Sequence, residues 1–211
     1  TAIVGRSGSG KSTILNIILR LIKPDSGVVL IDKEDIYNYS IDVYKTNVSV
    51  VTQKSILFNM SIKDNLSLVD SHFKKCEEVC KRLGIHEEIL SLPKGYNTIL
   101  EENSTNISTR LKQLLSIARS ILTNAEILLF DEVTSSLDAA NTKKVVSVFK
   151  ELSKDHTVII ITHKKEVMNK ADHLIIIDKG RKVADGTLES LENNKYYLNL
   201  KDSSSISSNS Y

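Results

Sequence analysis

The sequence predicts an α/β domain in which helices flank a mainly parallel sheet. Short apolar runs, of the kind that form buried parallel strands, alternate along the chain with segments of helical periodicity. A glycine-rich loop joins the first apolar run to the helix after it, as in α/β domains that bind ligands at their strand ends. The 211 residues suffice for one sizeable core and indicate a single domain.

The expected elements follow one another in a regular order. The first strand, residues 1–4, ends at Gly5 and leads through the loop into a helix over 13–22. The segment 62–92 has helical periodicity and ends at a Pro-Lys-Gly turn. The serine-rich end, 202–211, has nothing to bury and is expected to be disordered. The other expected elements are strands at 28–31, 48–51, 127–130, 158–161 and 174–177 and helices at 108–122 and 142–152.

Composition and charge disfavour several classes of protein. The formal net charge is only +2, so we expect no nucleic-acid partner. No apolar run approaches the ~20 residues needed to cross a bilayer, and no signal peptide is visible. Cys76 and Cys80 lie one helical turn apart, with only His72 and His86 nearby, so two reduced thiols are favoured over a metal site.

The glycine-rich loop matches the phosphate-binding pattern G-x-x-x-x-G-K-[ST], with a strand before it and a helix after it. Glycines allow the backbone to wrap a polyphosphate, and the helix start adds its positive dipole end. We expect Lys11 to reach the β- and γ-phosphates of ATP and the Ser12 hydroxyl to bind Mg²⁺. A glycine-rich surface turn is the alternative, which the flanking elements disfavour. The residues expected to contact the nucleotide here are Gly5, Arg6, Ser7, Gly8, Ser9, Gly10, Lys11, Ser12 and Thr13.

Two acidic residues follow the apolar strand 127–130. Asp131 stands where a magnesium-binding aspartate is expected, and Glu132 is a candidate general base for an attacking water molecule. Taken alone, two carboxylates at a strand end are as often a solvated terminus. Beside the phosphate-binding loop that alternative is disfavoured. The two motifs together therefore predict a P-loop NTPase fold that binds ATP and Mg²⁺.

These motifs resemble the nucleotide-binding domain of an ATP-binding cassette (ABC) transporter of the exporter type. The stretch VVTQKSILFNMSIKDNL has Gln53 at the family's Q-loop position, SSLD at 135–138 resembles the D-loop, and IITHKK places His163 at the switch histidine. The resemblance implies a domain over 1–201 with a helical subdomain at about 54–122. Family domains begin with antiparallel strands that carry an adenine-stacking aromatic residue, and these are expected upstream of Thr1.

The resemblance also implies roles for these side chains. The amide oxygen of Gln53 would join Ser12 and Asp131 around Mg²⁺ or would position the attacking water. His163 would donate a hydrogen bond to a γ-phosphate oxygen, which a neutral imidazole can also do. Glu132, His163, Lys11 and Gln53 are accordingly the expected catalytic residues.

One segment departs from the family pattern. Family members have Leu-Ser-Gly-Gly-Gln at the start of the helix at 108–122, where this chain has Ile107, Ser108, Thr109, Arg110 and Leu111. In the family this segment, which we name the signature segment (107–111), caps ATP bound by the other cassette of a head-to-tail pair. We expect Ser108 still to face that ATP, in a pair with a different chain that supplies an intact signature. Two rivals stay open: the Arg110 side chain reaches the phosphate itself, or two copies of this chain pair.

The leading interpretation is an ATPase domain of a membrane exporter, at the cytoplasmic face of the cell membrane. The membrane-spanning domain would belong to the same longer chain or to another subunit, and the surface at about 53–92 would dock onto it. A soluble cassette ATPase that acts on DNA or ribosomes is one alternative, although the spacing between Gln53 and Ser108 is too short for coiled-coil arms. A nucleotide-binding regulator with little turnover and a small-molecule phosphoryl-transferase are the others.

Overall fold

The computed structural model describes residues 1–206, with side chains up to residue 200. The strands of the described residues are β1 (Ala2–Val4), β2 (Leu30–Ile31), β3 (Glu34–Asp35), β4 (Val48–Val51), β5 (Ile127–Asp131), β6 (Thr157–Ile161), β7 (Leu174–Asp178) and β8 (Arg181–Gly186). Six of them form one sheet in the order β4-β5-β6-β1-β7-β8. All neighbours in this sheet are parallel except β7 and β8. The predicted α/β class with a mainly parallel sheet is confirmed.

The α-helices connect these strands and cover the sheet. Within the described part of the chain they are α1 (Lys11–Ile18), α2 (Ile41–Asn47), α3 (Ile62–Ser67), α4 (Phe73–Leu83), α5 (His86–Ser91), α6 (Thr109–Leu122), α7 (Ala139–Leu152), α8 (Lys165–Met168), α9 (Leu188–Leu191) and α10 (Lys195–Ile206). None of these helices combines the length and the apolar character that crossing a bilayer requires.

Alternate side chains of the parallel strands enter different clusters of the core. Leu128 and Phe130 of β5 pack in the largest cluster, with α4, α6 and α7. Leu129, between them, packs with Leu15 of α1 in another cluster. This alternation is the period of two that a strand imposes, and both faces of β5 are apolar because helices cover both. The sheet is thereby fixed between α1 on one side and α6 and α7 on the other.

Three details differ from the expectations. Helix α1 begins at Lys11 and ends at Ile18, because Arg20 adopts a left-handed conformation at φ 57°. The strand expected at 28–31 is reduced to β2, and it lies outside the main sheet. Asp32 and Lys33 have positive φ angles of 51° and 73°, which turn the chain directly back into β3. The helical segment at 62–92 is divided into α3, α4 and α5.

The elements that were not predicted include α2 and β8. Helix α2 begins after Ser40, whose hydroxyl caps it by accepting from the Val43 N–H. Strand β8 carries mainly polar residues, so the sequence contains no apolar run that would indicate a strand there. It pairs antiparallel with β7 at the sheet edge, where backbone hydrogen bonds hold it. The disordered tail at 202–211 stays a prediction: α10 ends at Ile206, and 207–211 lie outside the described residues.

The two cysteines lie on the inner face of α4. Both are buried and free, and burial raises the pKa of the Cys80 thiol to about 12. A thiol with so high a pKa stays protonated and unreactive at neutral pH. Cys76 and Cys80 therefore act as small apolar side chains of the core.

Replacement of Phe130 should measure the strength of this core. Its ring is fully buried and stacks on Phe149 with ring centroids 4.1 Å apart. Phe130→Ala is expected to lower the free energy of unfolding by about 3–5 kcal/mol, because it leaves a cavity between β5 and α7. Urea denaturation measures this loss. The matched control is Phe58→Ala, at a side chain that is 49% exposed, and an equal loss there would contradict the packing described.

Candidate functional site

The loop between β1 and α1 is shaped by glycine. A Cβ atom at Gly5 would lie 2.2 Å from the carbonyl oxygen of Ile177 in β7, so no side chain fits there. Gly8 and Gly10 have φ angles of 75° and 104°, which other residues adopt only at a cost. The N–H of Gly180, in the turn after β7, donates to the carbonyl of Ser9 at 2.9 Å. The loop is thus fixed against the end of β7.

The same loop leads into a helix start that has no side-chain cap. Gly10 is the N-cap of α1 and supplies no side-chain cap, so the N–H groups of the first helical turn have no partner inside the helix. Ser12 and Thr13 lie exposed in that turn, and Arg6 and Ser7 are exposed in the loop. Free N–H groups at a helix start, with hydroxyls beside them, are a favourable environment for a phosphate.

Lys11 lies under the loop with 6% of its surface exposed. Its Nζ donates to the carbonyl oxygens of Gly5 and Arg6, both at 2.9 Å. Burial lowers the pKa of Lys11, while Glu132 and Asp131 act in the opposite direction. The ammonium group therefore lies at the centre of the loop, desolvated and held by neutral acceptors. An anionic oxygen would be a stronger partner for it than these carbonyls.

The two acidic residues lie at the end of β5. Asp131 is the last residue of the strand, and burial and the neighbouring Glu132 raise the pKa of its carboxyl group. A cation would relieve this unfavourable charge. Asp131, the Ser12 hydroxyl and the Gln53 amide offer hard oxygen ligands, the type that Mg²⁺ prefers. The residues present therefore fit a magnesium ion.

Two polar side chains approach the Glu132 carboxylate of the acidic pair. The Gln53 Nε2 lies 3.4 Å from Oε2 of Glu132, and the His163 Nδ1 lies 3.7 Å from Oε1 of the same carboxylate. Glu132 has a left-handed backbone, with φ 49°, and its N–H donates to the carbonyl of Ile161 in β6. Two residues that are distant from Glu132 in the sequence are thus brought to its carboxylate.

An open cleft of about 340 Å³ lies between the phosphate-binding loop and the residues Glu132 and His163. Its lining includes Lys11, Glu132 and His163, which the sequence singled out, and Thr162, which it did not. Thr162 is buried, and its hydroxyl accepts from the Lys164 N–H at 3.0 Å. Its position just before His163 is the signal that would have identified it.

Ser108 lies elsewhere in the fold. It is the N-cap of α6, and its Oγ accepts from the Leu111 N–H at 3.0 Å. The same Oγ donates to Oε1 of Glu88 in α5 at 3.3 Å. Ser108 therefore belongs to a second surface, at the start of α6. The predicted site residues that line the cleft are Gly5, Arg6, Ser7, Lys11, Glu132 and His163.

Comparisons with known proteins point to one family. A family model described as "ABC transporter" matches residues 1–135. The toxin RTX-I translocation ATP-binding protein of Actinobacillus pleuropneumoniae is 40% identical over 87% of this chain and 26% of its own length. An ATP-dependent lipid A-core flippase of Syntrophus aciditrophicus is 36% identical over 90% of this chain and 32% of its own. The chain thus spans about a third or less of the length of these relatives.

A solved structure is similar over nearly the whole chain. It is described as a bacterial Atm1-family ABC exporter with ATP bound, and it superposes with a TM-score of 0.90 at 32% identity. The match covers 97% of this chain and 36% of the other. At this identity the likeness extends beyond the fold to the family.

Substitution of Gly5 and Gly8 should distinguish a steric constraint on the loop from a constraint on its backbone conformation. Gly5→Ala is expected to destabilise the domain more than Gly8→Ala, because its Cβ would meet the backbone of β7. Position 8 has open space around it, so alanine there should lower the stability only through its positive φ, by about 1–2 kcal/mol. Thermal unfolding of both variants measures the difference. Equal melting temperatures would contradict the packing of the loop on β7.

The charge at Asp131 should cost stability in the ligand-free domain. Its folded pKa is raised above the ordinary 3.8, so the ionised form is disfavoured by the fold and stability falls as pH rises through that pKa. Asp131→Asn is expected to raise the melting temperature at neutral pH, and the gain should vanish below about pH 4, where the wild-type carboxyl is protonated in both states.

Asp172 serves as a control in which the pKa of the carboxyl group is shifted in the opposite direction. A hydrogen bond from Lys150 lowers the pKa of Asp172, so its ionised form stabilises the fold above the ordinary pKa. Asp172→Asn is therefore expected to lower the melting temperature at neutral pH or leave it nearly unchanged, given its exposure. Thermal melts of both variants from pH 3 to 8 provide the comparison. A loss of stability in Asp131→Asn would contradict the charge balance described.

Proposed function

From the premise that the chain belongs to the ABC transporter family, whose ATP-binding domains are ATPases, we propose that it hydrolyses ATP to drive export across a membrane. The observation that carries the proposal is the convergence of Gln53 and His163 on the Glu132 carboxylate, at the open side of the phosphate-binding loop. A surface that only bound a nucleotide would need no such group beside the loop.

Each side chain has a task that its position allows. The loop N–H groups and Lys11 hold the β- and γ-phosphates, and the nucleotide replaces the loop carbonyls as the partner of the ammonium group. Glu132 accepts a proton from the attacking water. His163 donates to the γ-phosphate, and Gln53 orients the water or the metal. Mg²⁺, held by Ser12, Gln53 and Asp131, would neutralise charge on the phosphate oxygens.

The second surface, at the signature segment, supports an asymmetric pair of domains. Thr109 and Arg110 carry side chains at the start of α6, where close approach of another chain's nucleotide favours glycine. This chain would then bind ATP in its own loop, and a different partner chain would close that site with an intact signature. The partner's nucleotide would meet residues 107–111 and turn over slowly.

A groove beside Gln53 supports docking to a membrane domain. It lies between β4 and α6, is about 260 Å³ in volume, and is lined by Ile56 and Val69, whose side chains are 68% and 37% exposed. At its base, Nη1 of Arg119 and Oγ of Ser116 are buried and, among the described residues, accept or donate no hydrogen bond. An amphipathic segment of a membrane domain, at the cytoplasmic face of the cell membrane, would cover the apolar side chains and satisfy these polar atoms.

The test of this function is the substitution Glu132→Gln in the full transporter that carries this domain, together with its partner. The amide keeps the shape of the side chain and cannot take a proton, so ATP hydrolysis is expected to fall by about 100-fold or more while ATP remains bound. Phosphate release and retained radiolabelled ATP measure the two effects.

The matched control is Glu126→Gln, at the opposite end of β5. Glu126 is exposed and precedes the strand, so its replacement makes the same change of charge away from the cleft. Its activity should equal that of the wild type. Turnover retained in Glu132→Gln would remove this residue from the role of base, and failure of the wild type to bind or hydrolyse ATP at all would contradict the proposed function itself.

A further inference from the structure

The start of α6 already holds a carboxylate. One oxygen of Glu88, in the first turn of α5, accepts from the Ser108 hydroxyl at 3.3 Å. The other oxygen accepts a charge-assisted hydrogen bond from Nη2 of Arg110. Glu88 is thus bound by two residues of the signature segment, one on each oxygen.

Arg110 is itself held on a second side. Its Nη1 donates to Oδ1 of Asn141 in α7 at 3.1 Å. Asn141 is fixed in turn, because its backbone N–H and its Nδ2 both donate to Asp138, at 2.8 and 2.7 Å. The side chains of Glu88 and Arg110 are 26% and 30% exposed, in contrast to 89% for the adjacent Glu87. The guanidinium group is therefore anchored within its own chain and is turned toward Glu88.

In this arrangement a carboxylate of the same chain lies at the positive N-terminal end of α6. The first N–H groups of a helix attract an anion, and α6 has 14 residues and no acidic residue of its own in the first turn. The Glu88 carboxylate, which lies against the N-cap hydroxyl, supplies that negative charge. A phosphate brought to Ser108 would meet a carboxylate already bound to the same hydroxyl, and like charges at contact distance repel.

We propose that Glu88, held by Arg110, blocks the start of α6 against the nucleotide of the partner domain. The inference rests on the proposed head-to-tail pairing, and it identifies what this chain does to the partner's site. The signature segment fails to grip the partner's phosphate because it is already occupied by a carboxylate of its own chain. The added side chains at 109 and 110 are then not mere obstacles, since Arg110 holds the blocking group in place.

The test is Glu88→Gln in the full transporter with its partner. The amide preserves the length of the side chain and removes the negative charge. With a non-hydrolysable ATP analogue and Mg²⁺, the nucleotide that survives rapid gel filtration is counted per pair of domains. Removal of the repulsion is expected to roughly double the retained nucleotide, since the partner's site would now close on its own ligand.

The matched control is Glu87→Gln, one residue earlier, which changes the net charge equally at an exposed side chain. It should retain as much nucleotide as the wild type. Equal retention in Glu88→Gln and Glu87→Gln would overturn the proposal. No retention in any of the three proteins would instead contradict the proposed function. Should Glu88→Gln fold poorly in thermal melts, Glu88→Asp, which withdraws the carboxylate from Ser108, should still increase retention over the wild type, and no increase would count against the proposal.

Discussion

The parallel register of β1, β5 and β6 determines where the phosphate-binding loop, Glu132 and His163 lie relative to one another. Asp131 pairs with Ile161, and Ile161 also pairs with Ile3, so three strands end at the same level of the sheet. The residues that follow each strand are the phosphate-binding loop, Glu132 and His163. A slip of one residue in either pairing would send these side chains to opposite faces. The apolar residues on both faces of the strands fix the register, and the cleft depends on it.

Several charged and polar groups of the cleft lie in surroundings that do not stabilise them. Lys11 is buried among neutral carbonyls with a lowered pKa, and Asp131 is buried beside another carboxylate with a raised pKa. The hydroxyl of Ser9 is buried and has no hydrogen-bond partner among the residues described. Each of these groups would gain from an anionic phosphate or a divalent cation. The fold therefore tolerates unfavourable local charge that the nucleotide and its metal would relieve, as expected where function rather than stability sets the residue types.

The sequence was sufficient for the parts of the site that follow directly from strand ends and glycine spacing. Gly5, Lys11 and the acidic pair could be placed because each is adjacent to an apolar run in the chain. The Gly180 contact with the loop could not be foreseen, since it depends on the turn into β8, a polar edge strand without a hydrophobic signal. Glu88 was missed for a similar reason: it lies 22 residues from Arg110, and only the packing of α5 on the start of α6 brings them together.

The loop at 132–138 connects the two surfaces of the domain. At its far end, the carbonyl of Leu137 accepts from Nζ of Lys164 at 2.5 Å, and Lys164 follows the candidate switch histidine. Its last residue caps α7 and holds Asn141, which in turn accepts from Arg110 at the start of α6. The loop and these hydrogen bonds therefore link Glu132 to the signature segment. Both ends of the loop at 132–138 are held by side chains of this chain. A partner that contacts one of the two surfaces therefore acts on a segment whose position the other surface also constrains.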